Sequence, residues 1–498
     1  MAGSVLMVQG TTSGAGKSLL VTALCRVYAR RGVRVAPFKC QNMSLNSFAT
    51  PGGGEIGRSQ ALQAAAAGVA PHVDMNPILL KPAGRRGCQL VVLGRPRGHH
   101  QAIAYEHLHG DLFPLAMSAL DRLRAAHDLV IAEGSGSPAE INLRGKDIAN
   151  MAVARHAACP VLLVADIDRG GVFASLAGTM HLLAREERDL VAGLVINRMR
   201  GDAAVLDTGL AELTRHTGKP VVGVVPFLPD LDLEDEDSLD LDGRGPAGAA
   251  DALRVAVVRF PHISNFTDFQ VLEREPGVSV QYVDRADALA GVHVVILPGS
   301  KETLADLAWL RARGLAEAVI AHHRAGGHVL GICGGLQMLG AVLRDETAAD
   351  QPVPGLGLLP VETAFGPEKR TVQATGTSLP GYLDIPGDLP LTGYEIHMGR
   401  TSLTGGAPFA RLTAADGGRY EEGAVSADGL VAGTYLHGLF DADDYRRAWV
   451  AAARRHAGLG PVASDTSADA AREAAIDRAA DAVEAALDMA AINALVNR

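Results

Sequence analysis

A cysteine flanked by glycines lies in a segment that could carry a nucleophile. Residues 328–339 read HVLGICGGLQML, an apolar run followed by Gly-x-Cys-x-Gly and a helical pattern. This is the layout of the G-x-S-x-G nucleophile elbow, in which small flanking residues allow a sharp turn that exposes the central side chain. The N-terminus of a following helix favours the reactive thiolate. We therefore predict that Cys333 is a nucleophile; the alternative is a buried cysteine that acts as a small hydrophobic side chain.

A cysteine nucleophile usually needs a histidine, and the sequence offers one in a suitable turn. Among 17 histidines, His437 stands out because it ends a short strand pattern, GTYLHG at 433–438. Another strand pattern ends at Leu-Pro-Gly-Ser, residues 297–300, where a backbone N–H could stabilise an oxyanion. We predict His437 as the catalytic base and the N–H groups of Gly299 and Gly334 as the oxyanion hole.

A glycine-rich turn that ends in Lys-Ser follows the first apolar run of the chain. Residues 10–18 read GTTSGAGKS and precede a helical pattern. In such a loop the backbone N–H groups surround phosphate oxygens, the lysine reaches the β- and γ-phosphates, and the hydroxyl binds Mg²⁺. The strict pattern would place glycine at position 11, so this loop is a variant, and a plain strand–helix turn is the alternative. The predicted ATP-binding residues are Gly10, Thr11, Thr12, Gly14, Ala15, Gly16, Lys17 and Ser18.

A carboxylate is predicted to share the metal with Ser18. Glu133 directly follows the strand pattern at 129–132, and residues just past the ends of parallel strands line the ligand crevice of open sheets. We therefore predict Ser18 and Glu133 as Mg²⁺ ligands, with a solvated strand-end carboxylate as the alternative for Glu133. Three other acidic residues rank lower because acidic side chains often cap helices, namely Asp147, Asp166 and Asp168.

These turns require sheets that bring strand ends together. Short apolar runs alternate with helical patterns, which predicts an α/β fold with a mostly parallel, doubly wound sheet in the first half and a second α/β domain in the other. The predicted strands are 5–8, 33–38, 129–132, 161–165, 192–196, 221–225, 255–260, 278–283, 292–297 and 328–332. An acidic stretch rich further on in Gly, Pro and Ala separates the two sets. The predicted units are an ATP-binding domain (1–228), a linker (229–251), a second α/β domain (252–445) and a helical tail (446–498). Apolar residues at helical spacing from Ile476 to Leu495 predict one amphipathic helix in this tail, packed on the body of the protein.

Composition excludes several other classes of protein. The chain has 498 residues and a formal net charge of −10, which argues against nucleic acid as a partner. No apolar run reaches the ~20 residues that span a bilayer, and no signal-peptide pattern is present, so no membrane partner is expected. The five cysteines lie far apart without CxxC pairing, which predicts a reducing, cytoplasmic location and no structural zinc site. The oligomeric state is left open.

The combination of these motifs resembles a known family. The N-terminal half resembles the dethiobiotin synthetase-like ATPases, and the C-terminal half is similar to a class I glutamine amidotransferase domain of the cobalamin-pathway type. In this order, and over nearly the whole chain, they resemble the cobyric acid synthase family. The most specific segments are KCQNMSLN at 39–46, DIDRGGVFA at 166–174, GICGGLQ at 331–337, GYEIHMG at 393–399 and GTYLHG at 433–438.

The resemblance implies a fold and a reaction. It implies a P-loop ATPase-like domain followed by a class I amidotransferase-like domain, with Cys333 as glutaminase nucleophile, His437 as its base, and ATP with Mg²⁺ at residues 10–18. The implied substrates are glutamine and adenosylcobyrinic acid a,c-diamide. Its b, d, e and g carboxylates would be amidated to give adenosylcobyric acid, with one ATP and one glutamine used for each amide.

Two positions depart from relatives of this kind. Many class I amidotransferases carry His-x-Glu, but Gly438 and Leu439 follow His437 here. The third member of the triad is therefore absent at that place or is supplied from elsewhere. Dethiobiotin synthetase has an aspartate metal ligand after its second strand, where this chain has Gln41 and Asn42.

Two alternative functions remain open. The nearest is a cobyrinic acid a,c-diamide synthase or another glutamine-dependent carboxylate ligase. The other is a ParA-like ATPase fused to a catalytically dead binding domain, which would not need Cys333 and His437 in their turns.

A polyanionic corrinoid would require a basic surface on the protein. The alternative for the candidate basic residues is a solvated face without a ligand. Those candidates are Lys81, Arg85, Arg86, Arg95 and Arg97.

Overall fold

The predicted α/β fold is confirmed in both halves of the chain. The computed structural model describes residues 2–84, 87–101, 108–143, 145–229, 231, 233, 251–346 and 351–496. The predicted linker at 229–251 lies almost entirely outside the described residues, and the domain limits proposed around it stay predictions. Within the described ranges, each half builds a six-stranded, largely parallel sheet.

The strands and helices are numbered here in chain order. The strands are β1 (Ser4–Gly10), β2 (Val35–Lys39), β3 (Gln41–Met43), β4 (Ser47–Ala49), β5 (Glu55–Gly57), β6 (Ile78–Ala83), β7 (Gly87–Val92), β8 (Arg95–Gln101), β9 (Leu129–Glu133), β10 (Val161–Asp166), β11 (Val191–Met199), β12 (Val221–Pro226), β13 (Leu253–Val258), β14 (Ile263–Ser264), β15 (Val278–Val283), β16 (Val294–Leu297), β17 (Gly299–Ser300), β18 (His328–Ile332), β19 (Val342–Asp345), β20 (Val353–Pro354), β21 (Val361–Ser378), β22 (Pro390–Leu403), β23 (Ala410–Ala414), β24 (Arg419–Glu422), β25 (Ala424–Val425) and β26 (Val431–Thr434). The helices are α1 (Lys17–Arg30), α2 (Arg58–Ala67), α3 (His109–Ala126), α4 (Met151–Ala157), α5 (Val172–Leu182), α6 (Arg185–Leu190), α7 (Asp207–Thr217), α8 (Gln270–Glu273), α9 (Thr303–Ala312), α10 (Leu315–Arg324), α11 (Gly334–Leu339), α12 (Asp443–His456), α13 (Ala468–Ala486) and α14 (Met489–Val496).

The first sheet places the phosphate loop beside Glu133. Its strand order is β12-β11-β10-β1-β9-β2, with all neighbouring strands parallel. The strands are apolar on both faces because helices cover both sides of the sheet. Glu133, the last residue of β9, is in register with Val8 of β1 and with Lys39 of β2. The carboxylate therefore lies at the strand ends next to the loop that follows β1.

The second sheet gathers the glutaminase candidates at one edge. Its order is β15-β13-β16-β18-β26-β25, parallel except for the last pair. Gly299, Cys333 and His437 each follow one of three adjacent strands, β16, β18 and β26. Because these strands are parallel, all three residues lie at the same carboxyl-terminal edge.

The C-terminal tail packs on the first domain, but it is not the single helix that the apolar spacing predicted. Ile476 and Val483 of α13 are fully buried in the core beside α1. The helix then ends because Leu487 forms a bridge with Gly223 of β12. Asp488 donates its N–H to the carbonyl of Val222 at 2.7 Å and begins α14 as a second helix.

Charged contacts reinforce this packing. Arg30 of α1 forms ion pairs with Asp477 at 2.8 Å and with Asp481 at 2.5 Å. Arg26, also of α1, pairs with Glu473 of α13. The tail that follows the second domain therefore returns to the first one.

Candidate active sites

Cys333 occupies a strained turn between β18 and α11. Its φ is 54° and its ψ −106°, a conformation that side-chain-bearing residues rarely adopt. The flanking glycines are required by close approach: a β-carbon at Gly335 would lie 1.9 Å from the Leu297 carbonyl oxygen, and one at Gly331 would lie 2.6 Å from Leu336 N. The Sγ atom is 3.6 Å from the carbonyl oxygen of Ile396. The predicted strand–turn–helix is thus present with the thiol at its apex.

His437 lies in the same pocket, and a buried aspartate holds it. Its Nδ1 is 2.7 Å from Oδ2 of Asp268, and the two side chains are 1% and 3% exposed. The other oxygen of Asp268 accepts the N–H of Gly438 at 3.0 Å. The glycine that stands in place of the His-x-Glu pattern therefore donates its backbone N–H to a carboxylate that comes from elsewhere in the chain.

Electrostatics favour the protonated form of this histidine. Burial opposes the charge, but the Asp268 carboxylate, the hydrogen bond to it and the nearby Cys333 outweigh burial. Together they raise the pKa of His437 from 6.5 to about 10. An imidazolium at neutral pH is the partner that a thiolate requires.

The predicted oxyanion-hole glycines meet beside the cysteine and the histidine. A β-carbon at Gly334 would lie 2.8 Å from the backbone nitrogen of Ser300, so the start of α11 touches β17. A β-carbon at Gly299 would lie 3.3 Å from Cε1 of His437. The structure therefore brings together all four predicted glutaminase residues, Cys333, His437, Gly299 and Gly334.

The phosphate loop has the backbone that anion binding requires. Gly14 and Gly16 adopt φ values of 72° and 96°. Lys17 is 6% exposed, and its Nζ donates to the carbonyl of Thr12 at 2.9 Å and to that of Gly136 at 3.2 Å. The ammonium is thus folded back over the loop at the start of α1, where phosphate oxygens would also meet a helix N-terminus.

Glu133 lies at the centre of a buried polar cluster. Its Oε1 accepts from Ser18 Oγ at 2.9 Å and from Lys39 Nζ at 2.8 Å. Its Oε2 accepts from Gln63 Nε2 at 2.6 Å. Ser18 and Glu133 thus present two hard oxygen donors side by side, which fits Mg²⁺, an ion usually held by one or two protein oxygens together with substrate phosphates.

A large cavity opens in front of these groups. Its volume is about 1340 Å³, larger than the ~300–1,000 Å³ usual for one small-molecule site. The predicted residues that line it are Ser18, Glu133, Gly14, Gly16 and Lys17. Gly10, Thr11, Thr12 and Ala15 do not line the cavity, and Ala15 is fully buried.

The lower-ranked acidic residues are engaged in other ways. Asp147 accepts the N–H groups of Ala149 and Asn150, both at 2.9 Å, and so orders the loop before α4. Asp166 pairs with Arg198 at 2.9 Å, and Asp168 pairs with Arg200.

The prediction of a basic surface for a polyanionic substrate is wrong in part. Lys81 is 4% exposed, and its Nζ lies 2.7 Å from Glu55 Oε1, so it is internal. Arg95 and Arg97 lie exposed on β8 but do not line the cavity. Arg85 and Arg86 fall outside the described residues.

Known proteins similar to this chain identify its family. Residues 6–240 match the model described as a CobQ/CobB/MinD/ParA nucleotide binding domain, and residues 254–445 match a CobB/CobQ-like glutamine amidotransferase domain. A curated protein from Desulforudis audaxviator, named cobyric acid synthase, is 60% identical over 97% of each chain. The chain belongs to the cobyric acid synthase family. Further members from Sorangium cellulosum (52% identical; 100% of this chain and 99% of that protein) and Salmonella typhimurium (50%; 92% and 91%) also align over nearly their whole lengths.

Family membership confirms the resemblance drawn from the motifs. The chain is an amidotransferase with a nucleotide-binding domain followed by a glutamine amidotransferase domain. No helix among the described residues is both long and apolar enough to cross a membrane.

Asp268 was not predicted from the sequence. It lies in Asn-Phe-Thr-Asp-Phe, residues 265–269, after β13, and the residues on both sides are buried. A carboxylate between two phenylalanines at the ligand-binding edge of a parallel sheet was the available signal.

Proposed function

We propose that this protein amidates the b, d, e and g carboxylates of adenosylcobyrinic acid a,c-diamide, using ATP and glutamine, to give adenosylcobyric acid. The observation that supports this most directly is the pairing of two sites in one chain. A buried Cys–His–Asp arrangement can release ammonia, and a phosphate loop beside a large cavity can activate a carboxylate. Five unpaired cysteines fit a cytoplasmic location.

The glutaminase half would act by nucleophilic catalysis. The Cys333 thiolate attacks the side-chain carbonyl carbon of glutamine, and the N–H groups of Gly299 and Gly334 stabilise the oxyanion. His437, held through Nδ1 by Asp268, gives its proton to the departing nitrogen, so that ammonia and a γ-glutamyl thioester form. His437 then accepts a proton from water, which attacks the thioester and releases glutamate.

The synthetase half would make the carboxylate reactive. A carboxylate oxygen of the corrinoid attacks the γ-phosphorus of ATP; ADP leaves, and an acyl phosphate remains. Lys17 and the loop N–H groups neutralise charge on the phosphate oxygens during transfer. Ser18 and Glu133 would hold Mg²⁺, which supplies further charge neutralisation. Ammonia then displaces phosphate and forms the amide.

Counting amide conversions tests the proposed function. The protein is incubated with ATP, Mg²⁺, glutamine and adenosylcobyrinic acid a,c-diamide, and the mass of the corrinoid product is measured by mass spectrometry. Four carboxylate-to-amide conversions, each matched by one ADP and one glutamate, are expected. No conversion of the a,c-diamide, together with amidation of cobyrinic acid at its a and c positions, would instead identify the activity of a cobyrinic acid a,c-diamide synthase.

A further inference from the structure

The aromatic ring of Tyr394 lies against the catalytic histidine. Its centroid is 5.4 Å from that of His437, and the two rings are 24° from parallel. The backbones also pair, with His437 N donating to Tyr394 O at 2.9 Å and Tyr394 N donating to His437 O at 3.1 Å. Asp268 fixes one nitrogen of the imidazole, and Tyr394 covers one face of it. The position of Tyr394 therefore limits how the histidine ring can rotate.

Residues of the ATP-binding half hold Tyr394 in place. Arg58, the first residue of α2, donates from Nη1 to the Tyr394 hydroxyl at 3.4 Å. Its guanidinium carbon lies 5.8 Å from the Tyr394 ring centroid and 5.2 Å from that of Phe48. Phe48 itself contacts Tyr394 with 4.9 Å between ring centroids. Arg58 is 9% exposed, so this cation is largely desolvated, where cation–π attraction is strongest.

The segment that carries Arg58, residues 47–63, makes further contacts both with the glutaminase half and with the ATP-binding site. Ser47 N donates to Oδ1 of Asn265 at 2.9 Å, three residues before Asp268. Glu55, in the paired strand β5, forms an ion pair with Lys369 of β21. Gln63, five residues along α2 from Arg58, binds Glu133. The helix therefore lies between the glutaminase histidine and the cavity in front of the phosphate loop.

We propose that Arg58 is a positioning residue of the glutaminase site, supplied by the ATP-binding half of the chain. It fixes Tyr394 against His437, so that the imidazolium faces the Cys333 thiolate. The inference rests on the proposed function, since it assigns Arg58 to the glutamine-hydrolysing step of that reaction. Arg58 does not touch the reacting atoms; it acts through the tyrosine ring.

The test compares four full-length single variants and one double variant. Arg58→Met keeps the apolar stem and removes the cation, Arg58→Lys keeps a cation, and Tyr394→Phe keeps the ring but removes the hydroxyl. Gln373→Ala is the matched control, because its side chain makes another hydrogen bond between the two halves, to Ala49 O at 3.0 Å. Glutamate release gives kcat and KM. Alkylation of Cys333 by iodoacetamide against pH reports the thiolate–imidazolium pair directly.

Arg58→Met is expected to lower the kcat for glutamine hydrolysis by about 10- to 100-fold, as for loss of a hydrogen bond from a charged group, with little change in KM. Its alkylation profile should move to higher pH, since a misplaced imidazolium stabilises the thiolate less. Arg58→Lys should recover part of the rate. Amidation supported by ammonium chloride should stay at the wild-type level, which also shows that the variant is folded.

Three outcomes would overturn the inference. One is wild-type glutaminase activity and an unshifted alkylation profile in Arg58→Met. Another is an equal loss of glutaminase activity in Gln373→Ala, which would show that Arg58 acts only by holding the two halves of the chain together. The third is a double variant, Arg58→Met with Tyr394→Phe, whose losses multiply as independent effects do. If the wild-type protein itself released no glutamate, the proposed function would fail instead.

Discussion

Replacing Asp268 by asparagine tests the glutaminase triad with little change in shape. Asparagine can occupy the same volume, but it removes the negative charge 2.7 Å from Nδ1 of His437. Two unit charges about 4 Å apart interact by about 4 kcal/mol at an effective dielectric constant of 20. If this energy stabilises the imidazolium in the transition state, its loss lowers kcat by about a thousand-fold. The amide also favours the wrong imidazole tautomer, which acts in the same direction.

The assay separates the triad from the rest of the reaction. Glutamate release by Asp268→Asn is compared with amidation driven by ammonium chloride, which bypasses the glutaminase and should be unchanged. Asp428→Asn is the matched control, because Asp428 also pairs with a histidine, His323 at 2.8 Å, at the opposite end of the strands. A kcat for glutamine within about threefold of wild type would refute the reasoning, since the charge would then contribute under 1 kcal/mol.

The same variant has a pH signature in stability. The folded-state pKa of His437 is raised above its ordinary 6.5 to about 10. The Asp268–His437 pair therefore stabilises the fold fully below pH 6.5, and this stabilisation is lost as pH rises through 10. The difference in unfolding free energy between wild type and Asp268→Asn should be largest near pH 6 and should shrink toward pH 10, as measured by urea denaturation.

Four further outcomes are expected. Lys17→Ala should abolish ATP-dependent amidation yet retain glutamate release, and full amidation would remove the phosphate loop from the mechanism. Glu133→Gln should raise the Mg²⁺ concentration needed for ADP formation; an unchanged titration would leave Glu133 a strand-end carboxylate. Cys333→Ala should lose amidation with glutamine but keep it with ammonium chloride, and undiminished use of glutamine would exclude the thiol. Burial and the charge of Glu395 raise the pKa of Glu422 from 4.5 to about 8, so wild-type stability should fall between these pH values. Glu422→Gln should remove that fall in denaturation curves, and an unchanged slope would contradict it.

Local patterns predicted the parts of the sites that lie within one turn. The thiol at Cys333 and the loop before Lys17 are each set by a strand, a few glycines and a helix, all adjacent in sequence. The glycine spacing carries the information because a β-carbon at Gly335 would collide with the Leu297 carbonyl. Asp268 and Arg58 were not predicted, because their roles depend on contacts with residues 169 and 336 positions away.

Charge alone gave a misleading prediction for Lys81. Its position between the phosphate loop and Glu133 in sequence suggested a basic surface, but β6 directs the side chain inward to Glu55. The prediction of a single tail helix was wrong for a related reason. The apolar spacing continues through Leu487, but Leu487 forms a bridge with Gly223 and the next N–H, that of Asp488, bonds to Val222 of β12, so the helix ends there.

The return of α13 to α1 changes how the two domains can separate. A chain that crosses from one domain to the other only once leaves them joined by a single tether, and their effective concentration falls as that tether lengthens. Here the chain crosses twice, through residues 229–251 and again between α12 and α13. Opening of the interface therefore either disrupts the packing of α13 on α1 or is limited to the distance that residues 457–467 can extend. With at most ~3.6 Å per residue, that second tether spans about 40 Å when fully stretched. One tether already makes the re-formation of contacts such as Arg58 to Tyr394 a first-order process, so the second tether acts by raising the effective concentration of the two halves at their interface.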